Sequence, residues 1–234
     1  MSVYADVTPA LHPAVIEELP GYEDHKGYVQ EITEAFSVAY EGIADLHKAR
    51  AAVARNPTMN EAAQLLMVAK EATKRMDAMT RKFDSATANL SKAIDAIEGD
   101  LTRPLATSAA AGPIPTEIRA YVHSLDNDKR SAFLNEAMAN KDEQTLAAVL
   151  GAPSYLSGIT EADKAYRVRR YHEQTKPELA QRLDLMKRAR EMAHNRAGLI
   201  YMQIEKAMGA PWSRVQELRE QTGAAESAFK RFAS

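Results

Sequence analysis

The sequence predicts an all-α protein: a long antiparallel coiled-coil hairpin, then a small helical module, then a C-terminal helical bundle. Three observations predict it. Apolar residues recur at alternating spacings of three and four over long stretches, which keeps one narrow seam of a helix facing a partner. Alanine, the best helix former, is the most frequent residue, while aromatics make up only 6%; propensity and pattern therefore agree. No run of alternating β-branched residues occurs that would read as a strand.

Residues 1–23 form an N-terminal segment. Pro9, Pro13 and Pro20 forbid a single long helix there, although Pro13 suits the first turn of a short one over His12–Glu18. The segment is expected to lie over the body, to reach toward a neighbour, or to remain an exposed tail. The hairpin follows at 24–101. Its first rod starts at Asp24 and carries Val29, Ile32, Phe36, Ala39, Ile43 and Leu46 in register; Arg50 interrupts the seam and Val53 resumes it. Arg55-Asn56-Pro57-Thr58 is a tight connection that Pro57 prevents from being helical. Two rods joined so briefly run antiparallel.

The second rod, Asn60 to Leu101, keeps Ala62, Leu65, Ala69, Ala72, Met76, Met79, Phe83, Ala86, Leu90, Ala93 and Ile97 on its seam. At 1.5 Å per residue it is roughly 60 Å long. This seam outlasts that of the first rod, so the overhang at 90–101 needs apolar cover from elsewhere in the chain or from another copy. Phe83, Leu90 and Ile97 are the candidate packing or oligomer contacts.

Residues 102–115 are small, punctuated by proline and poor in charge, a linker composition. A short-helix module occupies 116–158. Thr116–Leu125 offers Ile118, Tyr121 and Val122; Asp128–Asn140 offers Phe133, Leu134, Ala137 and Met138; Glu143–Leu150, capped by Asp142, turns Leu146, Val149 and Leu150 inward. Long helices return at 159–234. Glu161–Met208 bears two apolar stripes side by side, the width a bundle helix needs to meet two neighbours, and Pro177 is expected to split it near Thr175-Lys176. After Gly209-Ala210-Pro211, the last helix, Pro211–Phe232, lines up Trp212, Val215, Leu218, Ala225, Phe229 and Phe232, with Trp212, Phe229 and Phe232 as further candidate oligomer contacts.

The search for chemistry returns little. No Walker loop or Gly-x-Gly-x-x-Gly fingerprint is present, and there is no cysteine. Glu191-Met192-Ala193-His194 has the spacing of a di-metal bundle ligand pair, but the second pair that such a site needs is missing. Ser157 lies in a loop with no supporting base in the sequence. The expectation is no enzyme, no cofactor and no metal. No 18-residue apolar run implies a membrane span, and the N-terminus lacks a secretory pattern.

Charge is the strongest signal. The net charge of −2 conceals acidic residues crowded before position 40 and ten Lys or Arg between 164 and 196. Arg167, Arg169, Arg170, Lys187 and Arg188, interleaved with Tyr166 and Tyr171, are candidate nucleic-acid contacts, although the basic residues circle the helix rather than keeping one face.

Glu117-Ile118-Arg119-Ala120-Tyr121-Val122-His123, Ala147-Ala148-Val149-Leu150-Gly151-Ala152-Pro153 and Tyr155-Leu156-Ser157-Gly158 lie within Glu117–Ile159. That stretch resembles one found in uncharacterised helical proteins of tailed bacteriophages and prophages. The resemblance covers about a fifth of the chain, implies a phage setting and carries no catalytic residues. The expected function is that of a non-enzymatic phage-type structural protein, a virion component or assembly factor in the virion or host cytoplasm. It would work through helix–helix contacts with other copies and other virion proteins. The alternative is a nucleic-acid-binding helical protein using 164–196.

Overall fold

The computed structural model describes residues 4–230, with side chains as far as Ala228. Among them there are helices and no strand: α1 (Ala14–Glu17), α2 (Tyr22–His25), α3 (Gln30–Val53), α4 (Glu61–Ala109), α5 (Ile114–Ser124), α6 (Asn127–Ala139), α7 (Glu143–Leu150), α8 (Glu161–Thr175), α9 (Pro177–Ala197), α10 (Leu199–Met208) and α11 (Trp212–Lys230). The chain divides into two compact units. One comprises residues up to Leu90 together with those from Leu185 onward; the other runs from Ser91 to Asp184.

In the first unit the hairpin forms as its periodicity requires. Asn60 caps α4 by accepting a hydrogen bond from the Ala63 amide at 2.8 Å. In the preceding turn the Asn56 carboxamide accepts from both the amide and the hydroxyl of Thr58. Contacts between α3 and α4 rise along one helix as they fall along the other. Asn89 meets Glu31, Lys82 meets Glu34, Phe83 lies 5.0 Å from Phe36, and Arg75 reaches the Gly42 carbonyl. The rods are antiparallel and touching. The first begins at Gln30, not at the expected Asp24, because α2 and a 3-10 turn over Lys26–Tyr28 occupy the residues around Gly27.

The N-terminal segment lies over the body. Leu11 and Ile16 are fully buried, and its backbone is held from two sides. Tyr40 on α3 accepts from the Tyr4 amide at 2.8 Å, while Arg196 donates to the Ala10 carbonyl at 2.8 Å. Arg50, the break in the first seam, has a local reason. Its guanidinium lies against Gly209, whose φ of +84° ends α10 in the left-handed region. A cation beside the C-terminal end of a helix sits where the macrodipole favours it.

In the second unit the predicted linker at 102–115 is mostly helix. α4 continues through Pro104 to Ala109. Pro104 removes one backbone donor, yet Leu101, Leu105 and Ala109 are buried at 3%, 4% and 6% exposure; this apolar row overrides the local preference against proline. The row begins earlier, with Ile94 at 1% exposure, and not with the predicted Ala93, which is exposed. The core of the unit joins Leu105 to Val122 of α5, Leu134 and Met138 of α6, and Leu146, Val149 and Leu150 of α7. The predicted cap is present, with Asp142 accepting from the Thr145 amide, and Asp126 caps α6 in the same way by accepting from the Lys129 amide. Tyr121, expected inside, is 54% exposed and rests its ring edge on Phe133. The helix predicted over Glu161–Met208 breaks at Lys176 before Pro177, as expected, and again at Gly198.

Gly151 marks the closest approach in this unit. It sits at the end of α7 with an ordinary negative φ, and any Cβ there would overlap the Leu105 carbonyl. Backbone cannot step aside as a flexible side chain can. Gly151→Ala is therefore expected to destabilise the protein by about 1–3 kcal/mol, the usual cost of overpacking, read as a lower midpoint in urea-induced unfolding. Gly27→Ala, where a Cβ meets nothing, should not lower it.

Candidate interaction site

The residues singled out by sequence separate into buried and exposed groups. Phe83 and Leu90 are 2% and 5% exposed within the chain, and Ile97 is half-buried. Phe83 and Leu90 are packing residues whose cover the chain itself supplies. Trp212 is half-buried beside Tyr201, with its indole N–H buried and without a partner. The Phe229 side chain and all of Phe232 lie outside the described residues.

The basic stretch straddles the two units. Arg167, Arg169 and Arg170 lie on α8 in the second, whereas Lys187 and Arg188 lie on α9 in the first. Arg167 is 5% exposed, and three of its nitrogens are occupied within the fold. Its Nε donates to both Asp163 carboxylate oxygens at 3.0 Å, and its terminal nitrogens reach Asn135 and Ser131 of α6. This arginine is a tie between helices and faces away from water. Arg169 and Arg170 remain exposed beside the half-exposed Tyr166 ring, each 5.9 Å from its centroid. Arg169 is also paired with Glu173 at 3.5 Å. Lys187 and Arg188 are exposed but have intramolecular partners.

Two arginines not singled out by sequence organise the second unit. Arg119 donates to the carbonyls of Ala109 and Ala148, tying the end of α4 to α7. Arg130 donates to the carbonyls of Val122, His123, Leu125 and Gly158, gathering the C-terminal end of α5 and the loop after α7. Helix ends leave carbonyls unpaired, and a guanidinium carries five donors in one plane. The chemistry is that of a fastener. Only the position of Arg119 and Arg130 among apolar residues of short helices could have hinted at it.

Among the described residues no three His, Asp or Glu side chains converge to hold a metal ion. Glu191 and His194 are both exposed on α9. Ser157 is fully buried, with its hydroxyl unpaired and no imidazole bonded to it. Apolar and aromatic side chains are exposed in each unit: Met67, Tyr201 and Met202 in the first, Ile114, Tyr121, Tyr155 and Leu156 in the second. In the first unit an open groove of about 420 Å³ lies between α4 and α10, lined by Met76, Asp77, Thr80, Arg81, Ala197, Ile200 and Tyr201. No helix among the described residues is long and apolar enough to cross a membrane. In comparisons with known proteins, no family model matches the chain, and neither a curated protein nor a solved structure shows significant similarity to it.

His172 on α8 is 6% exposed, and neither ring nitrogen has a hydrogen-bond partner. Burial pushes its imidazole below the ordinary histidine range, and Lys176, one turn further along, adds to the shift. The folded state thus resists a proton that the unfolded chain accepts. Stability from this residue is complete above the unfolded value near 6.5 and is lost as pH falls through the lower folded value. Denaturant unfolding between pH 7.5 and 5 should show that loss, at most about 1.4 kcal/mol per pH unit for one proton. His172→Leu should flatten the dependence, leaving the share of His47, which is shifted the same way.

Proposed function

We propose that the chain is a non-enzymatic structural protein of the tailed-phage type, a particle component or assembly factor that acts through helix–helix contacts between its own copies. One observation carries this reading. On α11, Val215 and Leu218 are buried at 1% and 7% exposure, yet every described side chain from Arg219 to Ala228 is exposed. In sequence the apolar spacing continues past this point through Ala225, Phe229 and Phe232. A seam that continues while its cover ends is suited to a second helix. The resemblance of Glu117–Ile159 to phage and prophage proteins supports the reading, on which the chain would work in the virion or host cytoplasm. Other virion proteins are the remaining partners on this reading.

Light scattering and native mass measurement at micromolar concentration test it. The expected result is an oligomer that Phe229→Ala together with Phe232→Ala weakens, and peptides of the chain in purified particles from its source. A monomer that enters no particle would overturn the reading.

The second reading, nucleic-acid binding, has one observation in its favour: the exposed Tyr166 with Arg169 and Arg170 beside it. An aromatic ring flanked by cations can stack a base and neutralise phosphate. With Arg167 turned inward, two phosphates are the most this cluster would engage. The logarithm of affinity should then fall with that of salt at a slope of about −2, and Arg169→Ala with Arg170→Ala should abolish the slope. Fluorescence anisotropy with labelled duplex and single-stranded DNA reads both.

A further inference from the structure

The groove between α4 and α10 has a rim that the fold leaves unused. Ile200, 2% exposed, and the half-buried Met76 and Ala197 form its floor, while Tyr201, 49% exposed, stands at its side. Met202, 55% exposed, follows Tyr201 on α10, and the ring of Trp212 lies 6.2 Å from that of Tyr201. Methionine and aromatic side chains around an apolar floor are the composition of the buried centre of a protein interface. On the α4 side the rim carries Asp77 and Arg81, both exposed. They are one helical turn apart, a spacing at which an acid and a base can pair. They do not pair here. Neither makes an ion pair or a hydrogen bond through its side chain among the described residues.

An acid and a base displaced by one turn on a helix complement a second copy of that helix running the other way. A two-fold axis crossing α4 between them brings Asp77 of each copy to Arg81 of the other, so a single rim supplies two ion pairs. This is the self-complementarity that a two-fold contact requires, residue i on j and j on i. A partner of different sequence would have no need for both signs on one helix turn.

We infer that the α4–α10 groove is a two-fold docking surface for a second copy of this chain, with Asp77 and Arg81 paired reciprocally across the axis and Tyr201 covered between the copies. The inference rests on the self-association proposed above and identifies one surface through which it occurs. Exposed pairs of this kind contribute modestly each and set orientation more than affinity; the apolar floor supplies the burial.

Charge exchange tests it. Asp77→Arg and Arg81→Asp are made separately in the full chain, with circular dichroism confirming that each variant folds. Sedimentation equilibrium at low salt should show each variant associating at least tenfold more weakly than the wild type, because each homodimer now opposes like charges. Mixed in equal amounts, the two variants should recover association, and native mass measurement should find the mixed dimer in excess over either homodimer. Tyr201→Asp should weaken all combinations alike. Variants that associate as the wild type does, or a mixture no tighter than its components, would overturn this surface. Wild-type association that survives Asp77→Arg but yields to the Phe229 and Phe232 substitutions leaves the self-association reading standing without this groove. A monomeric wild type removes both.

Discussion

The first unit depends on one helix being covered on three sides. α3 meets α4 through Phe36 and Gly42, meets α10 along its length, and meets the N-terminal segment through Tyr40. A helix in that position keeps only a narrow polar face, made of Glu31, Glu34, Glu41, Asp45 and Lys48. Ile32, Ala35, Phe36, Ala39, Tyr40, Gly42, Ile43, Ala44 and Leu46 are accordingly all buried. The small residues among them let neighbouring backbones come close: a Cβ on Gly42 would occupy the position of the Met79 methyl. Tyr40 is the one side chain in the set with a hydroxyl. It accepts from the Tyr4 amide and donates to the Tyr4 carbonyl at 3.4 Å, so the cost of burying it is met only while the N-terminal segment is docked. The order of the segment and the solvation of the central helix are therefore one condition.

The second unit solves a different problem. Its helices are short, so a larger share of its backbone is helix end, with carbonyls that no amide satisfies. Arg119 and Arg130 supply the missing donors, and Arg167 ties α8 to α6 through side-chain oxygens. Arg119 and Arg130 are half-buried, whereas Arg167 is 5% exposed; removing a partner of Arg167 leaves the other group desolvated and unpaired, which costs more than the bond itself contributes. The consequence reaches function. Cations used as internal fasteners are withdrawn from the surface, so a count of basic residues in the sequence overstates the charge available to a nucleic acid.

Much of the fold was legible because it is written in period. The hairpin, its tight turn at Pro57, the three short helices, two of them capped by aspartate, and the break before Pro177 all follow from spacing and local chemistry. What was not legible needed tertiary information. Pro104 reads as a stop until Leu101, Leu105 and Ala109 are known to be buried. Arg50 reads as a flaw in a seam until Gly209 is found beneath it. Arg167 cannot be told from Arg169 by type, only by which side of α8 faces α6. The groove between α4 and α10 escaped for a simpler reason. Met76 reads as one more seam residue, and nothing in a linear pattern tells whether two neighbouring charges such as Asp77 and Arg81 bond to each other.

Reciprocal charge has a consequence for assembly. A two-fold contact closes on itself and stops at a dimer; a groove that pairs with its own copy cannot by itself build anything larger. The exposed stretch of α11 from Arg219 to Ala228 is a separate surface on the same unit. If the groove is used between two copies, the dimer presents two such helices. Growth beyond two copies, or attachment to another component of a particle, would then fall to α11. On the proposed reading, two surfaces of different character, one self-limiting and one open, would suit a building block whose number of copies is set by the structure it joins.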